Sequence, residues 1–237
     1  MQYFCKHWSR SAKSDRDNFS IWMGDGRPYN EEEFWLAKTL AMRDAQPGFT
    51  VQIKRAFYLG KFEVTQGQWK KMMGSNPSVF QGVNMNDEDR RPVENVTWED
   101  VQKFLNKLNE TDPSRKYRLP TEFEWEYAAR AGAEGDIPWS EIQQVAQLGN
   151  KTTEVVGGKK PNSWGLYDML GNVWEWVDDF YNEKIFPDSV PPQNGTQHVL
   201  KGASFAGDVK NATYVTHAAG PGNGWDVGFR VVMEFKE

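Results

Sequence analysis

Polar and apolar positions between residues 60 and 135 repeat one arrangement that is typical of helix N-termini. A threonine stands three residues before a Gln, Asp or Glu, and apolar residues at helical spacing follow. In such a capping box, each side chain accepts a hydrogen bond from the other residue's backbone N–H group. The pattern predicts three helices, which begin after Thr65, Thr97 and Thr121. Gly74 and Gly132 are the expected ends of the first and the third helix.

A fourth helix is predicted near the N-terminus, at about residues 30–44. Asn30 and Glu33 have the spacing of a helix start. The apolar positions that follow are typical of an amphipathic helix, namely Phe34, Trp35, Leu36, Ala37, Leu40 and Ala41. Two interpretations stay open at this point. The helix packs on the core of the domain, or it docks a partner or lines a groove.

Between these helices, Gly, Pro and Asn punctuate the chain, and short alternating runs such as residues 50–53 are typical of strands. Few long helices and strands among many loops indicate an α+β domain that is rich in irregular structure. In such a domain the loops carry the ligand surface. A chain of 237 residues fits one elaborated domain. We expect this domain at residues 50–237, with residues 1–49 as an N-terminal extension packed on it.

Charge and cysteine usage exclude several classes of function. The net charge of −5 gives no electrostatic attraction to nucleic acid or to an anionic membrane surface, and no apolar run is long enough to span a membrane. Cys5 is the only cysteine, which excludes an intramolecular disulfide and a thiolate-rich metal site. The N-terminus lacks the apolar core of a signal peptide. We therefore expect a cytoplasmic protein, or an exported or cell-surface protein if a leader has been removed.

Five separated blocks, in a fixed order, carry a family resemblance. They are residues 57–65, 91–98, 117–126, 165–176 with the run Gly-Leu-Tyr-Asp-Met-Leu-Gly-Asn-Val-Trp-Glu-Trp, and 228–231 with Gly-Phe-Arg-Val. Together they resemble the formylglycine-generating enzyme family, also called the sulfatase-modifying factor family. The resemblance implies a variant of the C-type lectin fold, with a small mixed sheet, two main helices and extensive irregular loops.

The best-known chemistry of that family is not expected here. In its oxidases, two cysteines downstream of a Gly-Gly-Ser-aromatic element bind copper, a metal suited to soft thiolate ligands. Here the element is at residues 202–205, and Gly207 and Ala212 stand where the cysteines would be. Copper-dependent formylglycine formation is therefore not expected. The iron-dependent sulfoxide synthases of the family are not matched either, because His7, His198 and His217 are isolated in the sequence.

The family resemblance does imply a structural calcium ion. Its ligands would be the side chains of Asp168 and Glu175 and the backbone carbonyls of Gly171 and Val173. Hard oxygen donors of this kind are what calcium requires. In the alternative interpretation, the two carboxylates bond to backbone amides, and the neighbouring aromatic side chains simply fill the core.

Residues 206–227 have a biased composition, with no Glu, Gln or Met in 22 residues. Variable proteins of diversity-generating retroelements, which share the fold, carry mutagenised receptor-binding residues in this region. Adenine-directed mutagenesis of Asn codons produces this composition, and only Lys210 and Trp225 depart from it. We expect a non-enzymatic protein that binds a protein or other macromolecular ligand. The predicted contact residues are Ala206, Asp208, Tyr214, His217, Trp225 and Asp226.

Two other functions stay open. One is an accessory or regulatory member of the family that acts through the helix at residues 30–44. The other is a cysteine-independent oxidoreductase, in which Asp208 or Asp226 serves as the base. The second function requires one of these carboxylates to lie at a buried pocket with a raised pKa.

Overall fold

The computed structural model describes residues 51–82, 85, 87–138, 141–182, 192–207, 212–220 and 222–236, together with the backbone of residues 2–3, 8–9 and 50. The predicted helix at residues 30–44 lies outside the described residues, as do Cys5 and His7.

Four α-helices are described. They are α1 at Gln66–Met73, α2 at Trp98–Thr111, α3 at Glu122–Arg130 and the short α4 at Ile142–Val145, and a 3₁₀ turn lies at Glu88–Arg90. Both hydrogen bonds of the capping box are present at Thr65, Thr97 and Thr121, so the three predicted helix starts are confirmed. The helix α1 ends at Gly74 as expected, whereas α3 is capped one residue early by Ala131, which also has a left-handed conformation. No described helix has the length and apolar character needed to cross a membrane.

Ten short strands surround the helices. They are β1 (Gln2–Tyr3), β2 (Trp8–Ser9), β3 (Thr50–Val51), β4 (Phe57–Leu59), β5 (Arg115–Arg118), β6 (Trp174–Phe180), β7 (His198–Lys201), β8 (His217–Ala219), β9 (Val227–Phe229) and β10 (Val232–Phe235). One antiparallel sheet has the order β1-β4-β10-β5, and a mixed sheet has the order β8-β7-β6-β9 with β6 and β9 parallel. Strands β2 and β3 form a separate antiparallel pair.

Two clusters of buried apolar side chains hold these layers together. The first surrounds Trp125 of α3 and includes Phe57 of β4. In the second, the rings of Trp69 in α1 and Phe104 in α2 stack at 5.2 Å, and Phe229 of β9 packs edge-on against both. The helices therefore bury their apolar faces against strands, and the remaining chain passes over the surface as loops. This arrangement confirms the expected α+β class.

Gly171 fixes the loop that leads into β6. Its φ is +83°, and a Cβ atom there would overlap the backbone of Gln147. The N–H of Gly171 donates to the carbonyl of Gly202 at 2.7 Å, and Asn172 N–H donates to the carbonyl of Gln147 at 2.9 Å. The segment at residues 168–175 is thus held between the loop after α4 and the turn after β7.

Candidate functional site

The turn after β7 contains Gly207, the first of the two positions at which the family resemblance would place a copper-binding cysteine. Gly207 N–H donates to the carbonyl of Ser204 at 2.8 Å, which closes the turn. Ala212, at the second position, is buried in the core around Trp125. Neither glycine nor alanine offers a side-chain donor atom to a metal.

Three aromatic rings meet beside this turn. The ring centroids of Phe80, Phe205 and Trp225 are 5.2 to 6.2 Å apart, and all three pairs pack edge to face. Phe205 is buried, whereas Trp225 is 48% exposed and Val79, next to Phe80, is 55% exposed. A contiguous apolar patch that stays in contact with water is typical of an interaction site.

We define the Trp225 surface as Val79, Phe80, Phe205, Ala206, Trp225 and Asp226. Ala206 is exposed, and Asp226 is partly exposed, with its Oδ2 accepting a 2.7 Å hydrogen bond from the Ser204 hydroxyl. Three of the six predicted contact residues, Ala206, Trp225 and Asp226, therefore lie together on one surface. Asp208 lies outside the described residues.

Glu94 supports one of the two loops that form this surface. Its carboxylate accepts the backbone N–H groups of Val79 and Phe80, each at 3.0 Å. Burial raises the pKa of Glu94, these hydrogen bonds oppose that rise, and the charge of Asp226 adds to it. The buried carboxylate of Glu94 thus holds the loop after α1 in place.

Asn95 connects that loop with the one that carries Trp225. Asn95 has a left-handed backbone with a φ of +63°. Its N–H donates to the carbonyl of Gly224 at 2.9 Å, and its side-chain amide donates to the carbonyl of Pro77 at 3.0 Å. Because one residue ties both loops, the relative placement of Val79 and Trp225 is fixed by internal hydrogen bonds.

Tyr214 corrects the sequence prediction, which placed it on the display surface. Its side chain is only 4% exposed. Its N–H donates to Asp136 Oδ1 at 2.7 Å, and the guanidinium of Arg130 lies 5.3 Å from its ring centroid. The ring lines a cavity of about 320 Å³ between α3 and the loop at residues 160–170. Burial raises the pKa of Tyr214.

His217 is also placed differently from the prediction. It lies on β8 with a side chain that is 7% exposed, and its Nδ1 is 3.1 Å from Glu122 Oε1. The other described histidine, His198, lies at the opposite end of the β7–β8 pair, stacked between Trp98 at 3.9 Å and Phe180 at 4.3 Å. The two described histidines therefore do not converge on one site.

A buried charge network that the sequence reasoning missed joins α3 to β7. Glu122, Glu126 and Arg130 are spaced four residues apart on one face of α3, and Arg130 Nη2 lies 3.0 Å from Glu126 Oε1. Lys201 Nζ is 3.7 Å from a carboxylate oxygen of each glutamate. The four-residue spacing could have been recognised in the sequence, but it does not identify Lys201, which follows α3 by about seventy residues.

Glu175, a predicted calcium ligand, is bound to two side chains. Its Oε1 accepts from Arg230 Nη2 at 2.5 Å, and its Oε2 accepts from Arg230 Nε at 2.6 Å and from Trp125 Nε1 at 2.7 Å. Asp168 Oδ2 accepts the N–H of Gly157 at 2.6 Å. In the alternative to calcium binding, both carboxylates bond to backbone amides. Asp168 does so, whereas Glu175 bonds to side chains.

The surroundings of this segment contain more negative than positive charge. Among the described residues, three buried carboxylates, Glu63, Asp168 and Glu175, interact with one guanidinium, that of Arg230. Burial raises the pKa of Glu63 well above its ordinary value, and the charges of Asp168 and Glu175 raise it further. Asp168 Oδ1 is buried without a hydrogen-bond partner among the described residues. A partnerless carboxylate oxygen in an anionic pocket fits a hard cation.

A metal site can also be built from side chains alone. Within the part of the chain that the structure describes, no three His, Cys, Asp or Glu side chains are grouped to hold a metal ion. The predicted calcium site draws two of its four ligands from the backbone carbonyls of Gly171 and Val173, so this finding does not test it. The calcium site therefore stays a prediction.

The small mixed sheet, the two main helices and the loop-borne site define a C-type lectin-like domain of the formylglycine-generating enzyme type. The chain belongs to the sulfatase-modifying factor family, because the sulfatase-modifying factor enzyme 1-like domain matches residues 11–235. The match begins within the segment that the sequence reasoning set apart as an N-terminal extension.

Among known proteins, the chain is 31% identical to the chaperone protein LppX of Paenibacillus barcinonensis, over 74% of this chain and 79% of that protein. It is 30% identical to the formylglycine-generating enzyme of Thermomonospora curvata, over 58% of this chain, and it spans 50% of that enzyme's length. Among solved structures, Treponema denticola variable protein 1 matches with a TM-score of 0.70 and 25% identity, over 98% of both chains.

Proposed function

We propose that this protein is a non-catalytic binding protein that recognises a protein or other macromolecular ligand through the Trp225 surface. One observation carries the proposal. Trp225 is 48% exposed and packs on Phe80 and Phe205, beside the turn that lacks the copper-binding cysteines of the oxidases. An exposed tryptophan that packs on the buried Phe205 and the partly buried Phe80 has the geometry of an interface anchor.

The energetics of recognition favour this surface. Tryptophan supplies a large contact area and loses little side-chain entropy on binding, since it has only two rotatable bonds. The hydrogen bonds of Glu94 and Asn95 hold both loops in place before a ligand arrives. Less free energy is then spent on ordering the site. Asp226 at the edge adds a polar contact that contributes to specificity.

The test uses a displayed random-peptide library selected on the full protein. Selected peptides are then measured against the double variant Val79→Ser/Trp225→Ser. We expect affinity to fall by about thirtyfold or more, because truncation of a hot-spot aromatic anchor costs at least ~2 kcal/mol. Phe235→Ser is the matched control, since Phe235 is 60% exposed but lies on β10, away from the Trp225 surface. Equal losses of peptide affinity in the double variant and in the control would show that the Trp225 surface is not the binding site.

A finer form of the proposal is that a diversity-generating retroelement varies this surface. The similarity to Treponema denticola variable protein 1 over nearly the whole chain supports it. Variation is then expected at the exposed Ala206 and the partly exposed Asp226, and not at the buried Tyr214 or at Trp225, because mutagenesis of Asn codons does not yield tryptophan. Sequencing the gene and its neighbourhood in several isolates is the test. The expected finding is an adjacent reverse transcriptase gene and a near-identical template repeat; the absence of both contradicts this finer form.

A second candidate function is that of an accessory interaction protein. The similarity to a protein named as a chaperone, over 74% of this chain, favours it. In that case residues 30–44 carry partner binding. A deletion of residues 30–44 is then expected to abolish partner capture, while Val79→Ser/Trp225→Ser leaves capture unchanged. The opposite pattern supports the Trp225 surface.

Calcium is proposed as a structural ion of the same scaffold. The partnerless Oδ1 of Asp168, the carbonyls of Gly171 and Val173 and the carboxylate of Glu175 would hold it. The surplus of buried carboxylates over guanidinium groups supports a bound cation at this place. The ion would neutralise charge and brace the loop before β6.

A further inference from the structure

A groove of about 810 Å³ lies against β4 and β10, beside α1 and α2. It shares no residue with the Trp225 surface. Its lining is mainly apolar and includes Leu59, Val64, Met72, Phe104, Leu108 and Met233. The volume is within the range of small-molecule sites, which are typically apolar with a few polar groups at defined positions.

The charged side chains that line the groove give it a positive rim. Lys61 and Lys71 are both exposed, and the ammonium of Lys61 lies 5.3 Å from the ring centroid of Phe62. The one carboxylate in the lining, Glu63, is buried, and its Oε1 and Oε2 accept from Val173 N–H at 3.2 Å and Asn172 Nδ2 at 2.7 Å. Glu63 is thus engaged with the protein interior, and the charge offered to a ligand is positive.

We propose that this groove binds a single-chain amphiphile with an anionic head, namely a fatty acid. The apolar walls would take up the acyl chain, and Lys61 and Lys71 would bind the carboxylate. Charge complementarity selects this occupant, since an uncharged or cationic amphiphile with the same tail leaves the lysines without a counterion. Met72 and Met233 suit such a ligand, because unbranched thioether side chains adapt to chains of different shape.

Titration calorimetry of the full chain with laurate, below its micelle concentration, tests the proposal. Dodecanol and dodecyltrimethylammonium have the same tail and serve as comparison ligands. We expect saturable binding of one laurate. Lys61→Ala/Lys71→Ala is expected to weaken laurate binding by about tenfold or more, equivalent to ~1.4 kcal/mol, and to leave dodecanol binding unchanged. The matched control Lys151→Ala/Lys159→Ala removes two lysines that do not line the groove.

A groove-filling variant tests the place of binding. Leu108→Trp is expected to reduce the affinity for both laurate and dodecanol. If its circular dichroism shows loss of fold, Met233→Trp takes its place. The proposal is overturned by absence of saturable laurate binding, by unchanged laurate affinity in the double lysine variant or in the filled groove, or by equal binding of the cationic amphiphile. Val79→Ser/Trp225→Ser should bind laurate normally. Fatty-acid binding in the groove is thus tested independently of ligand binding at the Trp225 surface.

Discussion

Tyr214 and Trp225 are aromatic residues of the same segment with opposite environments. Tyr214 is 4% exposed in the core, whereas Trp225 is 48% exposed. We expect Tyr214→Ala to lower the free energy of unfolding by about 3–5 kcal/mol, because it leaves a cavity in a packed core. Trp225→Ala should lower it by about 1 kcal/mol or less. Urea unfolding measures both, and equal effects on stability would contradict the placement of the two rings.

The environment of Asp179 predicts that the stability of the protein depends on pH. Burial raises its pKa to about 6, and the charges of Glu122, Asp178 and Glu124 raise it too, while a 2.5 Å hydrogen bond from Glu122 N–H opposes the rise. The folded state therefore binds this proton more tightly than the unfolded chain. Ionised Asp179 therefore lowers the free energy of unfolding above about pH 6. This loss of stability disappears as the pH falls toward the pKa of the unfolded chain.

Asp179→Asn keeps a hydrogen-bond acceptor for Glu122 N–H and removes the charge. At pH 7.5 we expect this variant to be more stable than the natural protein by about 1–3 kcal/mol. The difference should vanish near pH 4. Denaturant unfolding at several pH values measures it. A difference that does not change with pH would show that the charge of Asp179 is not responsible.

The sequence identified part of the Trp225 surface. The compositional bias of residues 206–227 led to Trp225 and Asp226, but it carries no periodicity and so does not tell inward from outward positions. Tyr214 is buried in the apolar cluster around Trp125, and its N–H donates to Asp136, 78 residues earlier; such contacts are not encoded locally. Phe80 was missed for the same reason, since its ring partner Trp225 is distant in sequence, and the neighbouring Val79 was missed with it.

At the scale of elements, the helix starts were predictable because a capping box is a local device. Thr65, Thr97 and Thr121 each bond to a residue three positions away. The order of the strands was not predictable in the same way. The parallel pairing of β6 with β9 joins segments about fifty residues apart, and it depends on the loops between them.

The start of α3 offers a test of how local and distant contacts combine. Glu124 accepts from Thr121 N–H at 2.8 Å and also binds Arg118 through two contacts of 2.6 and 2.7 Å. Thr121→Ala should cost about 1 kcal/mol of stability, as for other helix caps. Glu124→Ala should cost more, because it also removes one of the two carboxylates that pair with the partly buried Arg118 among the described residues. Thermal unfolding compares them, with Glu124→Gln as the variant that retains the cap. Equal losses for the two alanine variants would show that the ion pair adds nothing.

At the scale of the whole molecule, Arg230 connects parts of the chain that are far apart in sequence. Its guanidinium donates to Glu175 of β6, to the carbonyl of Gly60 after β4 at 3.2 Å and to the carbonyls of Tyr167 and Asp168 at 3.1 and 3.2 Å. Five donors in a fixed geometry suit such a junction. The Gly-Phe-Arg-Val block that marked the family resemblance is therefore a structural junction between the two four-stranded sheets.

This junction leads to the last prediction, which concerns calcium. One guanidinium does not neutralise Glu63, Asp168 and Glu175, so a bound divalent ion should stabilise the folded chain over the unfolded one. At calcium concentrations a hundred times the dissociation constant, the gain is about 2.7 kcal/mol. For a chain of this size, each kcal/mol shifts the melting temperature by about 2–4 °C.

Metal analysis by mass spectrometry should therefore find one calcium per chain, and chelation should lower the melting temperature by roughly 5–10 °C. Asp168→Ala should abolish the effect of chelation, whereas Asp136→Ala, which alters a buried carboxylate outside this cluster, should preserve it. Protein without calcium and with a melting temperature indifferent to chelation would show that protons, not a metal ion, offset the buried charge.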